Sequence, residues 1–399
     1  MTRVVLLGAG GAMGREAARH LATSKHIDEL VLSDLVEASA HSTMKEIGEV
    51  GQLVSVEKCD VLDPVAIRQL LESADLVVNC AGPFFRLGLP TLEAAIDSRT
   101  TYLDICDDPE PTIEMLALDE KARMAGVCAV VGMGASPGLS NLLARRAASE
   151  LDVIIDCFTA WSLDSSTTTA ADNSELVDES GEPSGAVIHF MEQIHGVVPV
   201  VEDGILVRRP PLEAVELTYP GVSDGTGYVV GHPEPVTLHK SLAIKGRSAN
   251  LVLVKDGGTA AFLKGLQRDL DSGSIDLIEA GRQLVAPSLT RTAKAALGSL
   301  QLDGSGQLPP LFALVTGLKD GKNATVSCHV TSLPHGMSGA TAVPAVIGVD
   351  QLLVGALPPG VHPPEQIFNP ERVLTMLIHY SPTEVVNVDA LAPVVAVWH

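Results

Sequence analysis

Four side chains of this 399-residue chain are of the types that move protons and stand at positions where chemistry is done: Asp104, His195, His232 and Glu234. A group that gives or takes a proton near neutral pH works best as a histidine or as a carboxylate whose pKa is raised. Asp104 ends the run Thr101-Tyr102-Leu103-Asp104, which reads as a short strand. Its carboxylate is therefore expected at a strand's carboxyl end, where open α/β sheets bind ligands. The ordinary alternative is a turn or helix-capping Asp. His195 closes a helical stretch at Glu192-Gln193-Ile194, where a C-terminal cap is the competing role. His232 and Glu234 flank Pro233 in what reads as a rigid loop, facing substrate or solvent. Lys240 offers a point charge for a carboxylate. Cys106 lies beside Asp107 and Asp108, with no cation nearby in sequence to lower its thiol pKa, and is not read as a nucleophile. His329 and His335 lack a close third ligand, so no metal site is expected.

Such groups need a frame, and the stretch from Val4 to Leu21 supplies it. Four apolar residues, Val4 to Leu7, form a buried strand; Gly8, Gly10, Gly11 and Gly14 follow, and a helix with Ala17, Ala18 and Leu21 on one side comes next. Strand, glycine turn and helix form the context in which a glycine pattern becomes a dinucleotide site. Gly8 permits the turn, Gly10 and Gly11 clear space for a pyrophosphate, and Gly14 lets helix and strand approach. Ala12 and Met13 begin the helix, whose free N–H groups and dipole favour phosphate. The spacing is G-x-x-G-x-x-G, a departure from G-x-G-x-x-G. A second strand, Glu29 to Asp34, ends in an acid 20 residues after Gly14. That is where a carboxylate meets the adenosine ribose, which predicts NAD, with NADP the disfavoured alternative. Asp60, after a third strand at Leu53 to Val56, is placed near the adenine or at the cap of the helix near Pro64. Asn79, Ala81, Gly82 and Pro83 end a fourth strand and are expected along the cofactor.

The rest of the chain continues the alternation. Helices are expected at Leu89 to Asp97 and Ile113 to Ala125, a sixth strand at Val127 to Gly132, and a helix at Leu142 to Ala148 after the turn Gly134 to Asn141. From Asp152 to about Val330 strands alternate polar and apolar residues, with loops at Ser162 to Gly185 and Gly221 to Gly227, which suits a sheet with one covered face. The region Ile275 to Leu300 reads as amphipathic helix. Near the end, a helix of small apolar residues, Ala342 to Leu353, needs a wall and is placed back on the first domain. The fold class is thus α/β, a Rossmann-type parallel sheet with a second α+β domain holding a mixed or antiparallel sheet. The division is 1–135 with 335–399 for the dinucleotide, and 136–334 for substrate and dimerisation.

Composition excludes several classes. A formal net charge of −22 repels a polyanion, so nucleic acid is not an expected partner. With 46% hydrophobic and only 3% aromatic residues, the core must be aliphatic. No uninterrupted apolar run reaches the roughly 20 residues of a membrane span, and no signal-peptide pattern opens the chain. Six scattered cysteines without C-x-x-C spacing suit reduced thiols, so a cytoplasmic protein without membrane partners is expected.

Taken in order, Leu7 to Gly14, Asn79 to Pro83, Tyr102-Leu103-Asp104, Ser136-Pro137-Gly138-Leu139-Ser140-Asn141, His232 to Leu238, and Ser338-Gly339 with its helix resemble the saccharopine dehydrogenase family of NAD(P)-dependent oxidoreductases, on the lysine 6-dehydrogenase side. The resemblance implies a split Rossmann domain, a central substrate and dimerisation domain, a homodimer, and chemistry at a carbon–nitrogen bond of an amino acid, opine or related amine. Under it, Asp104, His195, His232 and Glu234 become candidates for taking the amine proton or activating water for imine hydrolysis. Substrate is then expected in the cleft between domains. Reduction of a carbonyl or enoyl group, and non-catalytic dinucleotide binding, are the alternatives the same scaffold allows.

Overall fold

The computed structural model describes residues 1–163, 176–177, 181–222 and 224–399. The stretch read as a loop from Ser162 to Gly185 lies largely outside them. The chain divides into two units, Met1–Leu142 with Ser332–Val388, and Leu143–Thr331 with Asp389–His399.

The first unit is built on a parallel sheet. Its strands are Arg3–Leu7 (β1), Glu29–Asp34 (β2), Leu53–Lys58 (β3), Leu76–Asn79 (β4), Thr101–Asp104 (β5), Cys128–Val130 (β6) and, far along the chain, Gly360–His362 (β15 in chain order). They lie in the order β15-β6-β5-β4-β1-β2-β3. This is the doubly wound 3-2-1-4-5-6 arrangement with one strand added, and its switch point falls between β1 and β4. Val4 to Leu7 are at most 1% exposed because helices cover both faces of a central parallel strand. The helix Gly336–Val354 returns to this unit, as its run of small residues requires. It is long and apolar enough to cross a membrane, yet 61% of it is buried, against the helix Ala12–Leu21 as well as β4 and β5. A Cβ on Gly348 would stand 2.7 Å from Leu103 Cδ1 and 3.1 Å from Met133 Cγ, so only glycine permits that approach.

Several boundaries differ from the sequence reading. The helix expected from Leu89 begins at Phe84 and runs through Pro90 to Ser98. The one expected over Ile113 to Ala125 is two, Pro109–Leu116 and Asp119–Ala125, each with its own cap. The helix after the Gly134 turn starts at Leu139. Asp60 does not cap the helix Pro64–Leu71; Asp63 does, accepting from Val65 N and Ala66 N, while Asp60 accepts only from Leu62 N at 2.9 Å.

The second unit carries Val153–Ser162 (β7), Val198–Glu202 (β8), Ile205–Arg209 (β9), Ala214–Thr218 (β10), Asp224–Val230 (β11), Ser248–Leu253 (β12), Leu311–Lys319 (β13), Lys322–His329 (β14) and Val394–Trp398 (β16). The sheet is mixed: β12 and β7 pair parallel, and its other neighbours pair antiparallel. Much of the loop expected at Gly221 to Gly227 is strand β11. The C-terminal residues 389–399 leave the first unit, because the apolar run Val394–Trp398 completes this sheet beside β14. Alternate residues of β12 face opposite ways. Leu251 packs with Phe158, Phe312 and Leu314, whereas Val252 packs with Phe190, Met191, Leu263 and Leu266 of the covering helices. The region expected to be one amphipathic helix at Ile275 to Leu300 is Leu277–Val285 and Leu289–Gly298 with a short 3-10 turn.

Candidate functional site

In the first unit, two turns meet at the switch point. A Cβ on Gly8, whose φ is +74°, would lie 2.7 Å from Ala81 N and Cys80 C, so the glycine turn and the turn after β4 are in backbone contact. The glycines of the first turn have different jobs. A Cβ on Gly14 would stand 2.0 Å from Gly8 O, and one on Gly10 would stand 2.4 Å from Ser39 Cβ and 3.0 Å from Asp34 Oδ2. These two positions allow packing within the protein. Gly11 differs: its Cβ would meet only Gly8 O at 3.5 Å, and the residue is exposed. Gly82 has nothing within 4 Å of such a Cβ. Gly11 and Gly82 thus border open space at the carboxyl ends of β1 and β4, and Ala12 and Met13 open the helix beside it. The turn is held by Thr43 Oγ1 donating to Ala9 O at 2.8 Å and Arg15 Nε donating to Gly10 O at 2.9 Å.

Asp34 stands at this opening. Its Oδ2 accepts from Gly10 N at 2.9 Å and its Oδ1 from Val36 N at 2.9 Å, so the carboxylate is fixed at the end of β2. Asp60, exposed beyond β3 and bound to Leu62 N, is not held against the glycine turn by any such bond. Asn79 is fully buried and turned inward: its Oδ1 accepts from Ala81 N at 3.0 Å and its Nδ2 donates to Tyr102 Oη at 3.2 Å. It shapes the turn Ala81-Gly82-Pro83, in which Gly82 and Pro83 are exposed.

Asp104 lies one strand further on, register partner of Asn79, and is fully buried. Its Oδ1 accepts from Cys106 N at 3.0 Å and Gly132 N at 2.7 Å, and its Oδ2 from Tyr102 Oη at 2.8 Å. One carboxylate therefore ties together the chain leaving β5, the chain leaving β6 and, through Tyr102 and Asn79, the turn after β4. Burial raises its pKa from 3.8 to about 6, against the lowering effect of those three donors. Asp104, read from its strand end as an acid–base candidate facing the cofactor crevice, is thus enclosed and holds these turns in place. Tyr102 was not singled out from sequence, although its place two residues before Asp104 puts both side chains on one face of β5. Burial pushes the Cys106 thiol well above its ordinary range, which agrees with its reading as inert.

The neighbouring turn holds two further groups, Asn141 of the quoted Ser136–Asn141 stretch and Glu365, which the sequence reading did not single out. Asn141 Oδ1 accepts from Gly138 N at 3.0 Å, and its Nδ2 donates to Glu365 Oε2 at 2.9 Å; both residues are buried. They are 224 positions apart, and no local pattern could pair them.

In the second unit, His232 and Glu234 are brought together and His195 is not with them in any hydrogen bond or ion pair. His195 follows the helix Gly185–Gln193, with 36% of its side chain exposed and its Nδ1 3.9 Å from Asp271 Oδ1. His232 and Glu234 are instead 3% and 1% exposed, with Nδ1 3.3 Å from Oε2. Glu234 is the first residue of the helix Glu234–Ser241 and belongs to the core, not to a surface loop. Asn250 of β12 donates to Glu234 Oε1 at 2.8 Å and to Thr159 Oγ1 at 2.9 Å, and accepts from Trp161 Nε1 at 3.0 Å. The Trp161 ring lies 5.6 Å from that of His232 and 5.8 Å from Phe190.

Comparisons with known proteins agree with this geometry. Residues 4–130 match the family model described as the saccharopine dehydrogenase NADP binding domain. A saccharopine dehydrogenase-like oxidoreductase of Rattus norvegicus is 28% identical over 152 residues, covering 33% of this chain and 34% of that protein. A Mycobacterium tuberculosis protein described as a trans-acting enoyl reductase is 27% identical over 131 residues, covering 31% of each chain. The matches span about a third of the length of these curated relatives. Among solved structures, apo saccharopine dehydrogenase (L-Glu forming) of Saccharomyces cerevisiae superposes with a TM-score of 0.63 at 14% identity over the whole of both chains, which shows a shared fold. The open space beside Gly11 and Gly82, the helix start and the fixed Asp34 carboxylate fit a dinucleotide.

Proposed function

We propose, from the match of residues 4–130 to the saccharopine dehydrogenase NADP binding domain, that this chain is an NAD-linked oxidoreductase acting on a carbon–nitrogen bond of an amino acid, opine or related amine. The observation that carries the proposal is the pairing of a cleared glycine turn with Asp34 in the first unit and a buried histidine–carboxylate pair in the second. Bound NAD would supply hydride acceptance. Gly11 and the Ala81-Gly82-Pro83 turn would border the dinucleotide, and Asn79, Tyr102 and Asp104 would keep that turn in place. A single protein group must also take the proton that an ammonium substrate carries.

The test is reduction of NAD followed by absorbance at a panel of amines, amino acids and opines, with ketones and enoyl thioesters run in reverse. Turnover on an amine and none on the enoyl substrates is expected; turnover on enoyl substrates alone would overturn the proposal and favour the second reading, which the mycobacterial relative supports.

Cofactor preference follows from charge. Asp34 at the end of β2 would meet a 2′-phosphate with like charge, whereas a ribose diol offers it two donors. Wild type should bind NAD more tightly than NADP by about tenfold or more, or roughly 1.4 kcal/mol. Asp34→Ser should weaken NAD and narrow that ratio. Equal affinity for both dinucleotides in wild type, measured by titration calorimetry, would remove this role from Asp34.

A further inference from the structure

We infer that Glu234 is a positioning residue that fixes the tautomer of His232, making His232 Nε2 the atom that accepts the proton of a substrate amine. The inference rests on the amine reading above and names the proton acceptor that reading lacks. It follows from the donors and acceptors that surround the pair. The indole N–H of Trp161 can only donate. Asn250 receives it at Oδ1, which turns Asn250 Nδ2 toward Thr159 and Glu234. Glu234 Oε1 is then an acceptor. Its second oxygen, Oε2, faces His232 Nδ1 at 3.3 Å. A carboxylate so placed calls for a hydrogen on Nδ1, and a neutral imidazole with Nδ1–H carries its lone pair on Nε2.

The burial of the pair supports a function beyond packing. Two ionisable groups 3% and 1% exposed are costly to desolvate, and an apolar pair would fill the same place. The line from His232 Nδ1 to Glu234 Oε2 is also off hydrogen-bond geometry, so Nδ1 has no well-aligned bond. Catalytic hydrogen bonds are commonly loose before substrate binds. The step itself is a proton transfer: an ammonium R–NH3⁺ gives one proton to Nε2, leaving R–NH2 and an imidazolium. The new positive charge lies beside the Glu234 carboxylate. His189 has its own partners, Glu192 at 3.3 Å and Gln193 at 2.9 Å.

The experiment is histidine nitrogen NMR on the full-length, 15N-labelled protein, with His232 assigned by its loss in His232→Gln. It needs neither dinucleotide nor amine, so an amine screen that fails overturns the proposed function without touching this result. In wild type the His232 signal should show Nδ1 protonated and Nε2 bare. Glu234→Gln adds an amide donor that can face Nδ1, so the tautomer ratio should move toward Nε2–H by about tenfold or more. Glu234→Asp, which keeps the carboxylate, should keep the wild-type tautomer, and His189→Gln should leave the His232 signal unchanged. If Glu234→Gln fails to fold, the wild-type spectrum decides alone. Nε2–H in wild type, or an unchanged tautomer in folded Glu234→Gln, would overturn the inference. On an amine that is turned over, Glu234→Gln should lower kcat by about 10²–10⁴-fold and leave KM near its wild-type value; an equal loss carried only in KM would also overturn it.

Discussion

Gly11→Val should abolish dinucleotide binding and leave the protein folded. Gly11 has φ −76° and ψ 164°, a conformation that valine adopts without strain. A Cβ there touches only Gly8 O at 3.5 Å, so no protein atom must move. The branched side chain instead fills the space at the helix start where a pyrophosphate would lie. NAD affinity should fall by more than about 100-fold, equivalent to ~2.7 kcal/mol, while the melting temperature stays within roughly 2–4 °C of wild type. Gly14→Ala should do the opposite. Its Cβ would sit 2.0 Å from Gly8 O, and backbone cannot give way cheaply. A loss of about 3 kcal/mol would lower the melting temperature by roughly 6–12 °C. Calorimetric melts and NAD titrations of both variants separate the two roles. Normal NAD binding by Gly11→Val would move the cofactor site away from this turn.

Asp104→Ala should be the most destabilising single truncation in the first unit. It strands two buried backbone N–H groups, of Cys106 and Gly132, and leaves the Tyr102 hydroxyl without its acceptor. Each orphaned donor costs about 1–3 kcal/mol, so a total of about 3–5 kcal/mol and a melting temperature lowered by roughly 6–20 °C are expected. NAD affinity should fall as well, because the Asn79 to Pro83 turn loses its anchor through Tyr102. Asp104→Asn gives the pH signature. Burial holds the wild-type carboxyl's pKa at about 6 in the folded state, above its value of 3.8 when free. The folded state therefore binds the extra proton between these values, and Asp104's contribution to stability declines as pH rises from about 4 to about 6. Asparagine does not titrate. The stability of wild type minus that of Asp104→Asn should thus be greatest near pH 4 and shrink as pH rises through 6. A difference that grows over that range in thermal melts would contradict a pKa raised by burial.

The sequence by itself determined the frame that binds. Val4 to Leu7, the glycines and Asp34 are contiguous or separated by one strand-helix repeat, and backbone propensity with apolar periodicity places such residues without long-range information. The same locality gave the strand limits Glu29–Asp34 and Thr101–Asp104, and the return of the Gly336–Val354 helix could be inferred because a face of small residues demands a wall. Only the tertiary structure decided what the polar side chains do there. Gly10 and Gly11 are neighbours of one type, yet Ser39 crowds the first and nothing crowds the second. Asp104 has the address of a catalytic acid, but Gly132, 28 residues later, and Tyr102 close around it. His195 and His232 both read as candidate bases; one is left partly exposed beside Asp271, and the other is enclosed with Glu234 by Asn250 and Trp161, which come from different strands. A residue's type states which bonds it is able to make, and its local pattern states which element carries it. Which of those bonds form, and which atom remains for a substrate, depends on burial and on partners brought from distant parts of the chain, and those are fixed only when the sheets and helices pack.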